Sequence, residues 1–215
     1  MKFNKAILDM YLVAGTQNVH GNIDSFLSQL EAACRHGITA FQYREKGPSV
    51  LSGTRKLEIG RLAHDITQKY HVPFIVDDDI ELANQLNADG LHVGQNDTDI
   101  SQVLQDAHNM FVGLSINTKD ELHDAQNVSG IAYLGIGPIF STQSKRDAAP
   151  AIGIQNLHQL SQATGLPTVA IGGINEHNVQ SVRQAPVDGV AVISAIMNSS
   201  NVATTIHQLK GKSLL

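Results

Sequence analysis

The chain has 215 residues, 42% of them hydrophobic and 16% charged, with a formal net charge of −5. This apolar content supports a packed core and argues against intrinsic disorder, and the acidic balance offers no basic stripe for nucleic acid or an anionic membrane. No stretch approaches the ~18 uninterrupted apolar residues of a membrane span, and a single cysteine excludes an internal disulfide and suits a reducing compartment.

The N-terminal MKFNKAILDMYLVAG carries two lysines and apolar residues, but Asp9 interrupts the run and no cleavage site follows, so it reads as a strand, not a leader. MYLVAG (10–15) precedes IDSFLSQLEAACRHG (23–37), a helical pattern that ends at Gly37 as a C′ residue. Cys34 lies on that helix among apolar neighbours and reads as a buried, inert thiol. TAFQYREK (39–46) precedes a long helix within 49–70, PFIVD (73–77) precedes IELANQLN, and GLHVG (90–94) precedes ISQVLQDA. FVGLSI (111–116) precedes TKDELHDAQNV, where Thr118 and Glu121 have capping-box spacing. IAYLGIGPI (131–139) precedes a long loop and IQNLHQLSQA; PTVAIGGI (167–174) precedes EHNVQSVRQA; GVAVISAI (189–196) precedes a closing helix within 200–210.

These are eight strand–helix pairs of about 25 residues, the size of a unit in an eight-fold barrel. The strands are near-continuous apolar runs, as parallel strands covered by helices require. NADGLHVG, NVSGIAYLGIG and PVDGVAVIS repeat one helix-to-strand turn around the chain. A doubly wound open sheet is the rival, but it usually has five or six strands. The expected architecture is α/β, a single-domain (β/α)8 TIM barrel over residues 1–215.

Chemistry in such a barrel sits at the C-terminal ends of the strands, and polar residues gather there. Gln42, Arg44 and Lys46 share one face of an extended segment, and two cations on one inward face call for an anion. Asp77, Asp78 and Asp79 follow the third strand, and GQND, ending at Asp97, follows the fourth. Asp79 opens the next helix, where a carboxylate is favourable; Asp78 and Glu81 also have capping-box spacing. Ser115 ends the fifth strand. The loop GPIFSTQSKRDAAP (137–150) carries Thr142, Ser144, Lys145 and Arg146, and 140–150 is a candidate lid. Gly172, Gly173, Ile193 and Ser194 lie after strands seven and eight, where backbone N–H groups of such barrels bind phosphate. Carboxylates on one side and donors on the other suit Mg²⁺, which takes one or two carboxylates with water and phosphate oxygens. His92, inside the fourth strand, reads as a packed, hydrogen-bonded core histidine. No Cys or His cluster has zinc spacing, and none of the ten histidines stands in a nucleophile motif.

At FQYREKG, FIVDDDIELANQLNADGLHVGQND, GLSIN, LGIGPIFSTQSK, AIGGI and VISAI, taken in order and spanning nearly the whole chain, the sequence resembles the thiamine-phosphate synthase family. The resemblance implies a barrel and the Mg²⁺-dependent joining of 4-amino-2-methyl-5-hydroxymethylpyrimidine diphosphate to 4-methyl-5-(2-phosphoethyl)thiazole, with release of diphosphate. It places Gln42, Arg44, Lys46, Asp77, Ser115 and Lys145 on the pyrimidine diphosphate, Thr142, Ser144, Gly173, Ile193 and Ser194 on the thiazole phosphate, and Asp78 and Asp97 on Mg²⁺. Arg44, Lys46, Ser115 and Lys145 are thereby the expected catalytic residues. Members usually carry Asn at the position of Asp77, and an ionised Asp cannot donate to a phosphate as an amide does. The resemblance further implies a cytoplasmic enzyme, small-molecule partners with neither nucleic acid nor membrane, and a homodimer. The alternatives are a thiazole tautomerase-like relative and a non-catalytic thiazole-phosphate-binding barrel, degenerate at Asp77; retention of the Gln-x-Arg-x-Lys set and the metal aspartates speaks against the first.

Overall fold

The computed structural model describes residues 2–47, 50–95, 99–107, 109–144 and 149–211. Strands and helices alternate: β1 (Met10–Ala14), α1 (Ile23–Arg35), β2 (Ala40–Tyr43), α2 (Gly53–Lys69), β3 (Phe74–Asp77), α3 (Ile80–Gln85), β4 (Gly90–Val93), α4 (Ile100–Asp106), β5 (Phe111–Ile116), α5 (Lys119–Gln126), β6 (Ile131–Ile136), α6 (Gly153–Gln162), β7 (Thr168–Ile171), α7 (Val179–Arg183), β8 (Gly189–Val192), α8 (Ser194–Met197) and α9 (Val202–Leu209). The strands form a closed parallel barrel in chain order, with β8 returning to β1 through Met10–Val190, Tyr11–Ala191 and Leu12–Val192. The expected (β/α)8 barrel is therefore the observed fold. None of the helices among the described residues is long and apolar enough to cross a membrane.

Alternation along each strand divides the apolar residues into two cores. On β1, Met10, Leu12 and Ala14 face the helices, while Tyr11 and Val13 face the barrel interior with Ala40, Ile75, Phe111, Tyr133, Val169 and Ala191. The larger core lies between strands and helices, where α1 places Phe26, Leu30, Ala33 and Cys34 on one buried face. Cys34 is buried as expected, and burial, with the Glu31 charge adding to it, pushes its thiol up to about 12. The segment before β1 plugs the interior from below: Phe3 stacks on Tyr133 with ring centroids 5.8 Å apart.

Several helix ends follow directly from local chemistry. Asn22 accepts from Ser25 N–H at the start of α1, and Gly37, with φ +93°, ends it. Thr118 and Glu121 form the expected capping box on α5. The expected helix over EHNVQSVRQA is shorter, beginning only at Val179. Asn175 and Asn178 intervene: Asn178 Oδ1 accepts from Asn175 N–H and Asn175 Oδ1 from His177 N–H, both at 2.9 Å. Such side-chain bonds compete with the helical ladder. GVAVISAI likewise divides, the strand stopping at Val192 and Ser194 opening the short α8.

Candidate active site

The strand ends of the barrel surround a cavity of about 260 Å³. Its wall includes Arg44, Lys46, Asp77, Asp78, Ser115, Thr142, Ser144, Gly173, Ile193 and Ser194. Most residues singled out from sequence are thus brought together from six separate parts of the chain. A more open hollow of about 1030 Å³ adjoins it and shares Arg44, Lys46, Thr142, Ser144, Gly173 and Ser194. Asp97, Lys145 and Arg146, with the rest of 145–148 in the candidate lid, lie outside the described residues.

The charged side begins after β2. Arg44 N–H donates to Ala14 O at 2.9 Å, which carries the extended pairing past the end of the strand and keeps residues 42, 44 and 46 on one face. Arg44 Nε lies 3.1 Å from Asp77 Oδ2, and both side chains are only 6% exposed. Lys46 pairs with Asp78 and lies 4.0 Å from Asp77 Oδ2. The cations and carboxylates of the site therefore neutralise one another across β2 and β3. Glu45 points the other way: buried, it accepts from Thr16 N–H at 2.6 Å, Thr16 Oγ1 at 3.0 Å and Leu51 N–H at 3.3 Å, tying the loops after β1 and β2 together.

The three aspartates separate cleanly. Asp79, not Asp78, is the N-cap of α3: its Oδ1 accepts from Leu82 N–H at 3.0 Å and its Oδ2 from Lys56 Nζ at 2.8 Å. Burial alone would raise its carboxyl, but the Lys56 and Leu82 hydrogen bonds and the Lys56 charge together hold it below the ordinary value. The capping-box spacing of Asp78 and Glu81 is not used. Asp78 has φ +58° instead, a left-handed turn that Asp tolerates better than most residues. That turn presents its side chain to the cavity.

On the far side, Gly172 and Gly173 have φ +101° and +66°, and a Cβ on Gly173 would fall 2.7 Å from both Phe140 Cβ and Ser141 O. Only glycine allows this close approach of the β7 and β6 loops. Thr142 Oγ1 accepts from Ser144 N–H at 3.2 Å, so the two hydroxyl residues share one turn. Their side chains, the Gly173 backbone and Ser194 form a second polar cluster suited to an anion.

Beneath the cavity lies a buried polar chain. Gln42 faces the interior here and does not line the cavity; its Nε2 donates to Tyr11 Oη at 3.3 Å. Tyr11 meets Tyr133, which meets His92, whose other ring nitrogen meets Ser115 Oγ at 2.9 Å. His92 is the packed, doubly hydrogen-bonded histidine expected, and it also reaches the cavity wall. Burial raises both phenols well above the ordinary tyrosine value, so both keep their protons. Sequence reasoning missed Tyr11, Tyr133 and Glu45. The available signal was a polar-tipped aromatic in an otherwise aliphatic strand, since a buried Tyr hydroxyl needs a partner.

Oxygen donors at Asp77 and Asp78 fit a hard divalent cation better than a soft one. Among the described residues no group of three or more His, Cys, Asp or Glu is arranged around a metal position. A cation here would rest on one or two carboxylates, with its remaining positions left to water and a ligand's phosphate oxygens.

The chain matches the family described as thiamine monophosphate synthase over residues 10–196. It is 46% identical over 211 residues to the thiamine-phosphate synthase of Limosilactobacillus reuteri, covering 98% of each chain. It is 45% identical to that of Lactiplantibacillus plantarum, covering 97% of this chain and 96% of the relative. Among solved structures it resembles a thiamine phosphate pyrophosphorylase from Pyrococcus furiosus, with a TM-score of 0.83, 32% identity and 96% of each chain covered. A 3-hexulose-6-phosphate synthase, at 15% identity and a TM-score of 0.65, shares the fold.

Proposed function

The chain belongs to the thiamine monophosphate synthase family and acts as a transferase of thiamine biosynthesis, and from that premise we propose how its cavity joins two phosphorylated substrates. The reading rests on one observation: the cation–carboxylate cluster and the hydroxyl–glycine cluster line the same cavity. One cluster takes the diphosphate of 4-amino-2-methyl-5-hydroxymethylpyrimidine diphosphate, on Arg44 and Lys46, with Lys145 added by family resemblance. The other takes the phosphate of 4-methyl-5-(2-phosphoethyl)thiazole, on Thr142, Ser144, Gly173, Ile193 and Ser194. Ser115 meets the pyrimidine ring, and Gln42 supports that end from below.

Asp78 and Asp97 would hold Mg²⁺, which when bound would neutralise charge growing on the departing diphosphate. The chain's own residues do the rest. The carbon–oxygen bond between the pyrimidine methylene and the diphosphate breaks, and its electron pair leaves with diphosphate. Arg44 and Lys46 stabilise that charge in place. The thiazole nitrogen lone pair then forms the new bond to the methylene carbon. No proton moves in either event, which accords with the protonated tyrosines beneath the cavity. The closed, packed barrel interior under the cavity, whose polar groups are tied up with one another, keeps water from reaching the methylene cation from below. The tautomerase-like alternative is not favoured, because Arg44, Lys46 and Asp78 are all retained at one wall. A homodimer and a cytoplasmic location belong to the same proposal and rest on family resemblance.

The test is direct. Purified protein incubated with both substrates and Mg²⁺ should yield thiamine phosphate and diphosphate in equal amounts by chromatography. Absence of product while thiazole phosphate still binds would overturn the reading in favour of a binding or tautomerase role.

A further inference from the structure

The buried chain beneath the cavity joins five strands. Gln42 Nε2 is 3.3 Å from Tyr11 Oη. Tyr11 Oη to Tyr133 Oη, Tyr133 Oη to His92 Nδ1, and His92 Nε2 to Ser115 Oγ are each 2.9 Å. Tyr133 is fully buried and Tyr11 is 2% exposed, so each of these polar atoms depends on the chain for its partner.

A phenol has one proton and a neutral imidazole one N–H, so the chain has a direction. Tyr11 accepts the Gln42 amide proton and gives its own to Tyr133. Tyr133 then donates to His92 Nδ1, which leaves the imidazole proton on Nε2 and directs it to Ser115 Oγ. Ser115 is left to donate its own proton into the cavity it lines. In the opposite sense, His92 Nδ1–H donates to Tyr133 and Tyr133 to Tyr11. Tyr11 oxygen would then accept twice, and its own buried O–H would have no acceptor, an arrangement the interior disfavours.

We propose that Tyr133, acting through His92, is a positioning residue that holds Ser115 with its O–H turned into the cavity. The pyrimidine end then selects a ring that presents an unprotonated ring nitrogen there, and discriminates against the oxo analogue, which carries N–H. This inference rests on the synthase reading for the identity of the ring, but not for the direction of the chain.

Two variants that each remove one hydroxyl separate this from a merely structural role. With Tyr11→Phe, Tyr133 still donates to His92 and the direction survives. With Tyr133→Phe, His92 Nδ1 loses its donor and both tautomers become accessible. Nitrogen-15 spectra of the imidazoles, with His92 assigned by the signal lost in His92→Gln, should show the proton on Nε2 in the parent and in Tyr11→Phe, and a mixture in Tyr133→Phe. The KM for the pyrimidine diphosphate should rise about tenfold in Tyr133→Phe, the equivalent of one misdirected hydrogen bond, and several-fold less in Tyr11→Phe. The KM for the thiazole phosphate should stay within about twofold in both. Inhibition by the oxo analogue should strengthen in Tyr133→Phe relative to the parent. A parent His92 protonated on Nδ1 overturns the proposal without any variant, and so does an equal change in both substrates' KM in both variants. A parent that makes no thiamine phosphate refutes the synthase reading instead, and the imidazole spectrum still decides the direction of the chain.

Discussion

Asp77 is the carboxylate whose environment matters most, because its partner is the cation proposed to hold the substrate diphosphate. It and Arg44 are each 6% exposed and 3.1 Å apart. A buried guanidinium without a counter-charge is costly, so Asp77 stabilises the ligand-free protein at the expense of anion affinity. Asp77→Asn should therefore lower the stability of the free protein by about 1–3 kcal/mol, somewhat less than the loss of a wholly enclosed pair, because the cavity admits water. Inorganic diphosphate should raise the melting temperature of the variant more than that of the parent, and the KM for the pyrimidine diphosphate should fall. Equal stability and equal diphosphate response in both proteins would mean that the pair does not set the local charge balance. Sequence placed Arg44, Asp77 and Asp78 at the right strand ends because their residue types are out of place in an apolar barrel. It did not pair Arg44 with Asp77, since that contact depends on how β2 and β3 register and on how far the extended backbone continues past Tyr43.

The loops after the strands are elements in their own right, and Glu45 shows how they are fixed. Between Arg44 and Lys46 it reads as a solvated loop charge. In the fold it is buried, one oxygen accepting from Thr16 N–H and the other from Thr16 Oγ1 and Leu51 N–H. Its acceptors come into play only when the β1 and β2 units meet, so no local pattern could reveal them. Glu45→Gln turns one acceptor into a donor facing other donors, and should cost about 1–3 kcal/mol of stability. It should raise the KM for the pyrimidine diphosphate, whose proposed cations flank it, and leave that for the thiazole phosphate unchanged; equal effects on both would point to general loosening. The strand–helix alternation was legible because apolar periodicity is local. The shortened α7 was not, because the Asn175 and Asn178 side chains satisfy the backbone that a longer helix would have used. On α2, His64 packs against Phe74 with ring centroids 4.9 Å apart. Burial lowers its pKa from 6.5, against smaller opposing effects of Asp89 and Asp65. A lowered histidine value means that the unfolded chain binds the proton more readily, so stability is full above pH 6.5 and falls as pH drops below it. Melting curves of His64→Gln across that range should show a shallower acid loss than the parent, and parallel curves would remove His64 as the cause.

At the scale of the whole barrel, the active site depends on how large and small residues share a closed interior. Tyr11, Phe111, Tyr133 and His92 are too large to sit together without gaps opposite them, and glycines supply those gaps. A Cβ on Gly90 would overlap the Phe111 ring; one on Gly113 would overlap the Tyr133 ring and lie 2.6 Å from His92 Nδ1; one on Gly135 would lie 3.2 Å from His92 Cε1. The number of strand–helix units announced the barrel, but near-continuous apolar strands hide which alternate set faces inward. Closure decides it, through pairings such as His92 beside Gly113 and Gly113 beside Tyr133. If the glycines hold room for the polar chain, one added methyl should disturb stability and catalysis together. Gly113→Ala should destabilise the protein by about 1–3 kcal/mol through overpacking, lowering the melting temperature by about 2–4 °C for each kcal/mol in a chain of this size. It should also lower kcat/KM, because Tyr133 and His92 must move and Ser115 moves with them. Gly165→Ala is the matched control: a Cβ there meets no atom within 4 Å, and fewer unfolded conformations make the change neutral or slightly stabilising. The same melting temperature and activity in both variants would show that the interior has slack, and that the position of Ser115 is set by the ends of β5 alone.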